Sequence, residues 1–147
     1  MTDVTVAETI EAQIWIRATL LANSGFSSAV SSQVYGGVAP NSATYPFVTM
    51  QILSTDDRPL VGGGILWSDV VMLVRATIDK RSAYEIRSIA AAIQQLLHAK
   101  SGTTVDAKIV SCSRIRPHAA PTEETDGIFY SHLGGEYRIR VKPKGNP

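Results

Sequence analysis

The chain has 147 residues, 44% of them hydrophobic and 18% charged, and a net charge of +1. That balance excludes wholesale disorder and any global field drawing the protein to nucleic acid or anionic lipid, and the length suits one domain with a sizeable core. A single cysteine, Cys112, excludes a disulfide framework and a Cys-rich metal site, and fits a reducing compartment.

The first residues, MTDVTVAETIEAQIW, have early acidic side chains and no unbroken apolar core, so a secretory signal is not expected. No apolar run approaches the roughly 20 residues of a spanning helix. The expectation is a soluble protein made in a cytoplasm.

The first predicted element is a helix over about Val6 to Ala22. Thr5 and Glu8 have the T-x-x-E spacing of a capping box, in which each side chain bonds the other's free backbone N–H. Ile10, Ile14 and Leu21 fall on one stripe, widened by Val6, Ala18 and Trp15, while Glu8, Glu11 and Arg17 fall elsewhere. That stripe is the expected core face. Asn23-Ser24-Gly25 supplies the stop, with Gly25 suited to a left-handed position. A polar stretch, FSSAVSSQ, leads into a short strand at VYGG. Pro40 and Pro46 remove ladder donors and bias Ala39 and Tyr45 toward extended backbone. From Phe47 to Leu53 the alternation is that of a strand, with Val48, Met50 and Ile52 on one face and Thr49 and Gln51 on the other.

TDDRPLVGGGIL reads as a loop or flexible hairpin tip. A long strand follows from Trp67 to Ile78, with Val70, Met72, Val74, Ala76 and Ile78 on one face. Val71 and Leu73 make its other face partly apolar, which predicts a central strand or one covered on both sides. In SAYE, Ser82 and Glu85 form another capping box. Ile86, Ile89, Ile93 and Leu97 then recur at helical spacing, with Ala90 and Leu96 beside them, until Gly102 ends the helix. Two strands close the chain, about Val105–Arg116 and about Ile128–Lys142, separated by an acidic mobile loop, HAAPTEETDG.

The order is therefore α, short β, β, β, α, β, β. It predicts one α+β domain over 1–147, a largely antiparallel sheet packed against two α-helices. The helical face from Ile86 to Leu97 is expected to bury against Val70, Val74 and Ile78, at about 1.5–3 kcal/mol per aliphatic side chain.

The motifs give little support to catalysis. Gly36-Gly37 and Gly62-Gly63-Gly64 do not lead from a strand into a helix and lack the GK[ST] ending of a phosphate loop, so they read as turns. Cys112, His118 and His132 suggest a nucleophile with a base, but no local signature accompanies them and no helix N-terminus lies behind the thiol. His98 sits on a helix, too far along the chain for paired zinc ligands. Asp56-Asp57 reads as a solvated turn before an acid/base pair. No cofactor is expected.

The last strand carries one anomaly. In EYRIRVKPK, apolar Tyr137, Ile139 and Val141 alternate with Arg138, Arg140 and Lys142, which puts a row of like charges on one face. Such a row is either a solvated or charge-guarded edge, or a surface for an acidic partner, a sister subunit or nucleic acid.

Taken as a whole, the layout resembles the tail-completion, or tail-terminator, proteins of tailed bacteriophages. The resemblance rests on VYGGVAP followed by YPFVTMQI, on VVMLVRATID leading into SAYEIRSIAAAIQQLLH, and on ETDGIFYSHLGGEYRIRV near the end. It covers about Val6 to Val141. It implies a structural virion protein without catalysis: a ring, usually hexameric, that caps the tail tube, stops its polymerisation and joins it to a neck or head-completion protein, with DNA passing through the lumen. The expected interface residues are Asp56, Asp57 and Arg58, acidic Glu123, Glu124 and Asp126, and basic Arg138, Arg140 and Lys142, with acidic and basic groups meeting between neighbours. A head-completion, neck or tube subunit remains open, as does a small nucleic-acid-binding module built on the basic strand.

Overall fold

The computed structural model describes residues 8–59, 62 and 65–144. In chain order its elements are α1 (Glu8–Leu21), α2 (Ser24–Ala29), β1 (Val34–Gly36), β2 (Phe47–Pro59), β3 (Ile65–Ile78), a 3₁₀ turn (Ala83–Ile86), α3 (Arg87–Leu97), β4 (Lys100–Thr103), β5 (Ala107–Ala119), β6 (Glu123–Thr125) and β7 (Ile128–Pro143). Six strands form a sheet in the order β1-β2-β3-β7-β5-β4, and β6 adds to β7 off that path. Among the described residues only β1 and β2 run parallel. The α+β class holds, and β3 is central, between β2 and β7.

The core lies between the helices and one face of the sheet. Val48 and Met50 on β2, Val70 to Ile78 in alternation on β3, and Tyr137, Ile139 and Val141 on β7 meet Ile86, Ile89, Ile93 and Leu97 there. The helical spacing from Ile86 to Leu97 thus marks the buried face as expected, and α3 lies chiefly over β7. Ser82 caps the preceding 3₁₀ turn, its Oγ accepting from the N–H of Tyr84 at 3.1 Å, and the N-cap of α3 itself, Ile86, makes no side-chain cap hydrogen bond. The helix ends at Leu97, and Gly102 instead belongs to β4, where a Cβ would run into the Trp15 indole.

The first helix corrects its sequence reading. Thr5 and Val6 lie outside the described residues. The stripe of Ile10 and Ile14 faces outward, each 48% exposed, while Ala12, Trp15, Ile16 and Leu20 are buried. Glu11 is buried too, 8% exposed, because it reaches β4's end and accepts a hydrogen bond from Thr104 Oγ1. A helix apolar on two sides offers two candidate core stripes; of the expected one Trp15 is buried and Leu21 partly so, and the helix is turned so that Ala12, Ile16 and Leu20 join them.

Loop readings also change. Gly25 is not left-handed but sits inside α2, whose N-cap Asn23 accepts from Phe26 N–H at 2.9 Å. The positive φ values fall instead on Ser31 and Ser32. TDDRP is strand, since β2 stays paired with β3 as far as Pro59. HAAPTEETDG supplies the end of β5, then β6, and a tight turn at Asp126-Gly127 with φ of 52° and 80°. Positive φ at both central residues is the hairpin turn that Asp-Gly favours. The segment before β2 is held by one side chain. Gln33 Nε2 donates to Thr44 O at 2.8 Å while its Oε1 accepts from Thr44 N–H at 2.8 Å.

Candidate functional site

Strand alternation divides the sheet into two unlike surfaces. One carries the core. The register puts the opposite side chains in rows across β2, β3, β7 and β5: Thr49, Arg75, Gly134 and His118; Gln51, Leu73, Glu136 and Arg116; Asp56, Asp69, Arg140 and Ser111. The buried residues of all three helices join the core cluster on the first surface.

The helix-free face is basic. From β7 come Arg138, Arg140 and Lys142, from β5 Lys108 and Arg116, and from β2 and β3 Arg58 and Arg75, against Asp56, Asp69, Glu123 and Glu136. Seven cations meet four carboxylates, a surplus of three on a chain whose total is +1. Three of those carboxylates are engaged. Arg140 Nε donates to Asp69 Oδ1 at 3.0 Å and its guanidinium stacks 4.5 Å from the Trp67 ring centroid. Arg116 lies 3.7 Å from Glu136. Glu123 Oε1 lies 3.2 Å from His132 Nε2, without hydrogen-bond alignment. Arg138 and Lys142 form no ion pair among the described residues, so the row read from sequence is split: its middle member is neutralised locally and its outer two are not.

The other expected residues separate as well. Asp56 and Asp57 stand on opposite faces of β2, which prevents their acting as a pair. Asp57 accepts from Ser68 Oγ at 2.5 Å, in a polar recess of about 180 Å³ bounded by Glu8, Thr9 and Thr55. Substrate pockets usually have about 300–1,000 Å³. Arg58 is exposed, as are Glu124 and Asp126 on the β6–β7 hairpin. From Ile128 to Arg138 is about 33 Å of extended strand, so the acidic hairpin and the free part of the basic row stand far apart along β7.

The structure does not gather Cys112 with the histidines. Cys112 is buried on the core face, and burial pushes its thiol up to about 12. His118 and His132 lie on the basic face. Burial, and then Arg75, lowers the pKa of both. His132 is wedged in place, its Nδ1 2.8 Å from Thr77 Oγ1. Sequence reasoning missed Asp69, opposite Arg140, and Arg75, opposite Gly134, positions that follow only from the β3–β7 register. Among the described residues, no group of three or more His, Cys, Asp or Glu side chains is arranged to hold a metal ion, and no helix is long and apolar enough to cross a membrane.

A family model described as tail completion protein gp17 matches residues 15–140. No curated protein matches the sequence significantly. Among solved structures, a chain from the virion of a native gene transfer agent particle has the same fold. It superposes with a TM-score of 0.75 at 18% identity, over 94% of this chain and 99% of that one. The chain belongs to the tail completion family, as a structural protein of the virion tail.

Proposed function

We propose, from that membership, that the protein is a ring-forming tail terminator without catalytic activity. The ring, a hexamer, caps the finished tail tube, stops its polymerisation and joins it to a neck or head-completion protein. DNA passes through its lumen at ejection without sequence readout.

The observation that carries this reading is the two-sided sheet. One face is closed by helices around a continuous core, while the other is broad and charged and carries no helix among the described residues. Here unpaired cations and an acidic hairpin occupy separate sites, which suits the heterologous contacts from which closed rings are built. The absence of chemistry is supported by the thiol, which stays protonated near neutral pH and lies across the sheet from both histidines.

Light scattering or native mass spectrometry, with negative-stain imaging, tests the proposal. Closed rings that bind one end of purified tail tubes and halt their growth are the expected result. A strict monomer in the presence of tail-tube protein overturns it. Long tubes formed by the protein alone identify a tube subunit instead.

A further inference from the structure

Two features of the basic face go unused within the chain. The first is its unpaired charge: Arg138 and Lys142 on β7, Lys108 on β5 opposite Lys142, and Arg75 on β3 opposite Gly134 form no ion pair among the described residues. The second is a pair of buried nitrogens without hydrogen-bond partners, Trp67 Nε1 and His118 Nε2. Both lie on this face, at different points along it. Buried polar atoms are seldom left unpaired, so two on one surface suit a surface completed by something else.

The same molecule carries the complement. The β6–β7 hairpin presents Glu123, Glu124 and Asp126 within four residues and no cation among them. Glu123 is turned toward His132, which leaves Glu124 and Asp126 exposed at the tip. They cannot meet Arg138 of their own chain, because the β7 strand between them is extended over about 33 Å. An acidic knob and a basic seat on different parts of one surface are self-complementary only between copies, head to tail.

We infer that the helix-free sheet face is the seat for a second copy, whose β6–β7 hairpin places Glu124 and Asp126 against Arg138 and Lys142. This rests on the ring reading and names the contact that builds it. Asp69 and Glu136 neutralise Arg140 and Arg116, which leaves the attractive charge on the outer β7 cations, on Lys108 opposite Lys142, and on Arg58 and Arg75. Because the contact is electrostatic, assembly weakens with salt.

The test is a charge swap in the full chain. Arg138→Glu is expected to convert rings to monomers by light scattering while leaving the melting temperature of the monomer unchanged. Glu124→Lys is expected to do the same. The chain carrying both substitutions is expected to recover assembly. Rings that persist in either single variant, or a double variant that stays monomeric, overturn this contact while leaving the ring reading intact. If the wild-type chain is itself monomeric with tube protein present, both readings fall together. If Arg138→Glu leaves assembly intact but abolishes salt-sensitive binding of duplex DNA, the face is a nucleic-acid seat and the proposal is wrong.

Discussion

Strand β7 passes through two environments at once. Tyr137, Ile139 and Val141 point into a core with almost no exposed surface, while Arg138, Arg140 and Lys142, one residue away in each case, point to the opposite face, which no helix of the described residues covers. The first set is held by burial, which is non-directional and strong. The second is held by pairwise charge, which is weak when solvated. The two halves of the strand's sequence therefore answer to different demands: the inner half specifies the fold, and the outer half is free to specify a partner.

The largest effect that would break this contrast lies on the inner side. Ile139→Ala is expected to cost about 2–5 kcal/mol in denaturant unfolding, since the cavity cannot be refilled from a fully buried site. Gly134→Ala comes next. A Cβ there would press on the Val74 carbonyl and the Arg75 backbone, so β3 and β7 must part, at about 1–3 kcal/mol by the same measurement.

A pH titration of stability reports on the buried part of the basic face. The pKa of His132 is lowered from 6.5 by burial, then Arg75, with His118 adding repulsion and Glu123 opposing. The unfolded chain therefore binds the proton more readily than the folded one. Stability is unaffected by this group well above 6.5, falls as pH drops through that value, and levels off below the folded pKa. His132→Gln is expected to flatten that acid limb, leaving the part due to His118.

The smallest effects sharpen the comparison most. Asp69→Ala, which leaves Arg140 without its carboxylate, is expected to cost no more than about 1 kcal/mol. Arg138→Ala is expected to change monomer stability by less than about 0.5 kcal/mol. A large loss at Arg138 would show that the outer row serves the fold after all.

Much of the fold was legible because its strongest signals are periodic. Val48, Met50 and Ile52, the alternating run from Val70 to Ile78, and the helical run from Ile86 to Leu97 identify their inner faces without ambiguity. The first helix was not legible, because Ile10 and Ile14 give it a second apolar side and nothing local says which side the sheet will take. The β2 extension and the β6 hairpin were hidden for another reason. Thr55, Asp56, Asp57 and Glu123 have turn-like composition, and only pairing with a neighbouring strand makes them strand residues. The basic row itself was visible in EYRIRVKPK. Its division into a neutralised centre and free flanks was not, since Asp69 is 71 residues away from Arg140 in the chain.

The clamp formed by Gln33 on Thr44 is specific for an amide. Its grip depends on a group that offers a donor and an acceptor at once, and its Nε2 also reaches the Val30 carbonyl at 3.1 Å. Glutamate at this position would put a second oxygen where the donor stands, turned toward two carbonyls. The loop would then be repelled at the point where it is now tied, and Tyr45 would lose its fixed approach to Phe47 and Tyr130. One neutral side chain thus decides how the surface around Tyr45 and Tyr130 is presented.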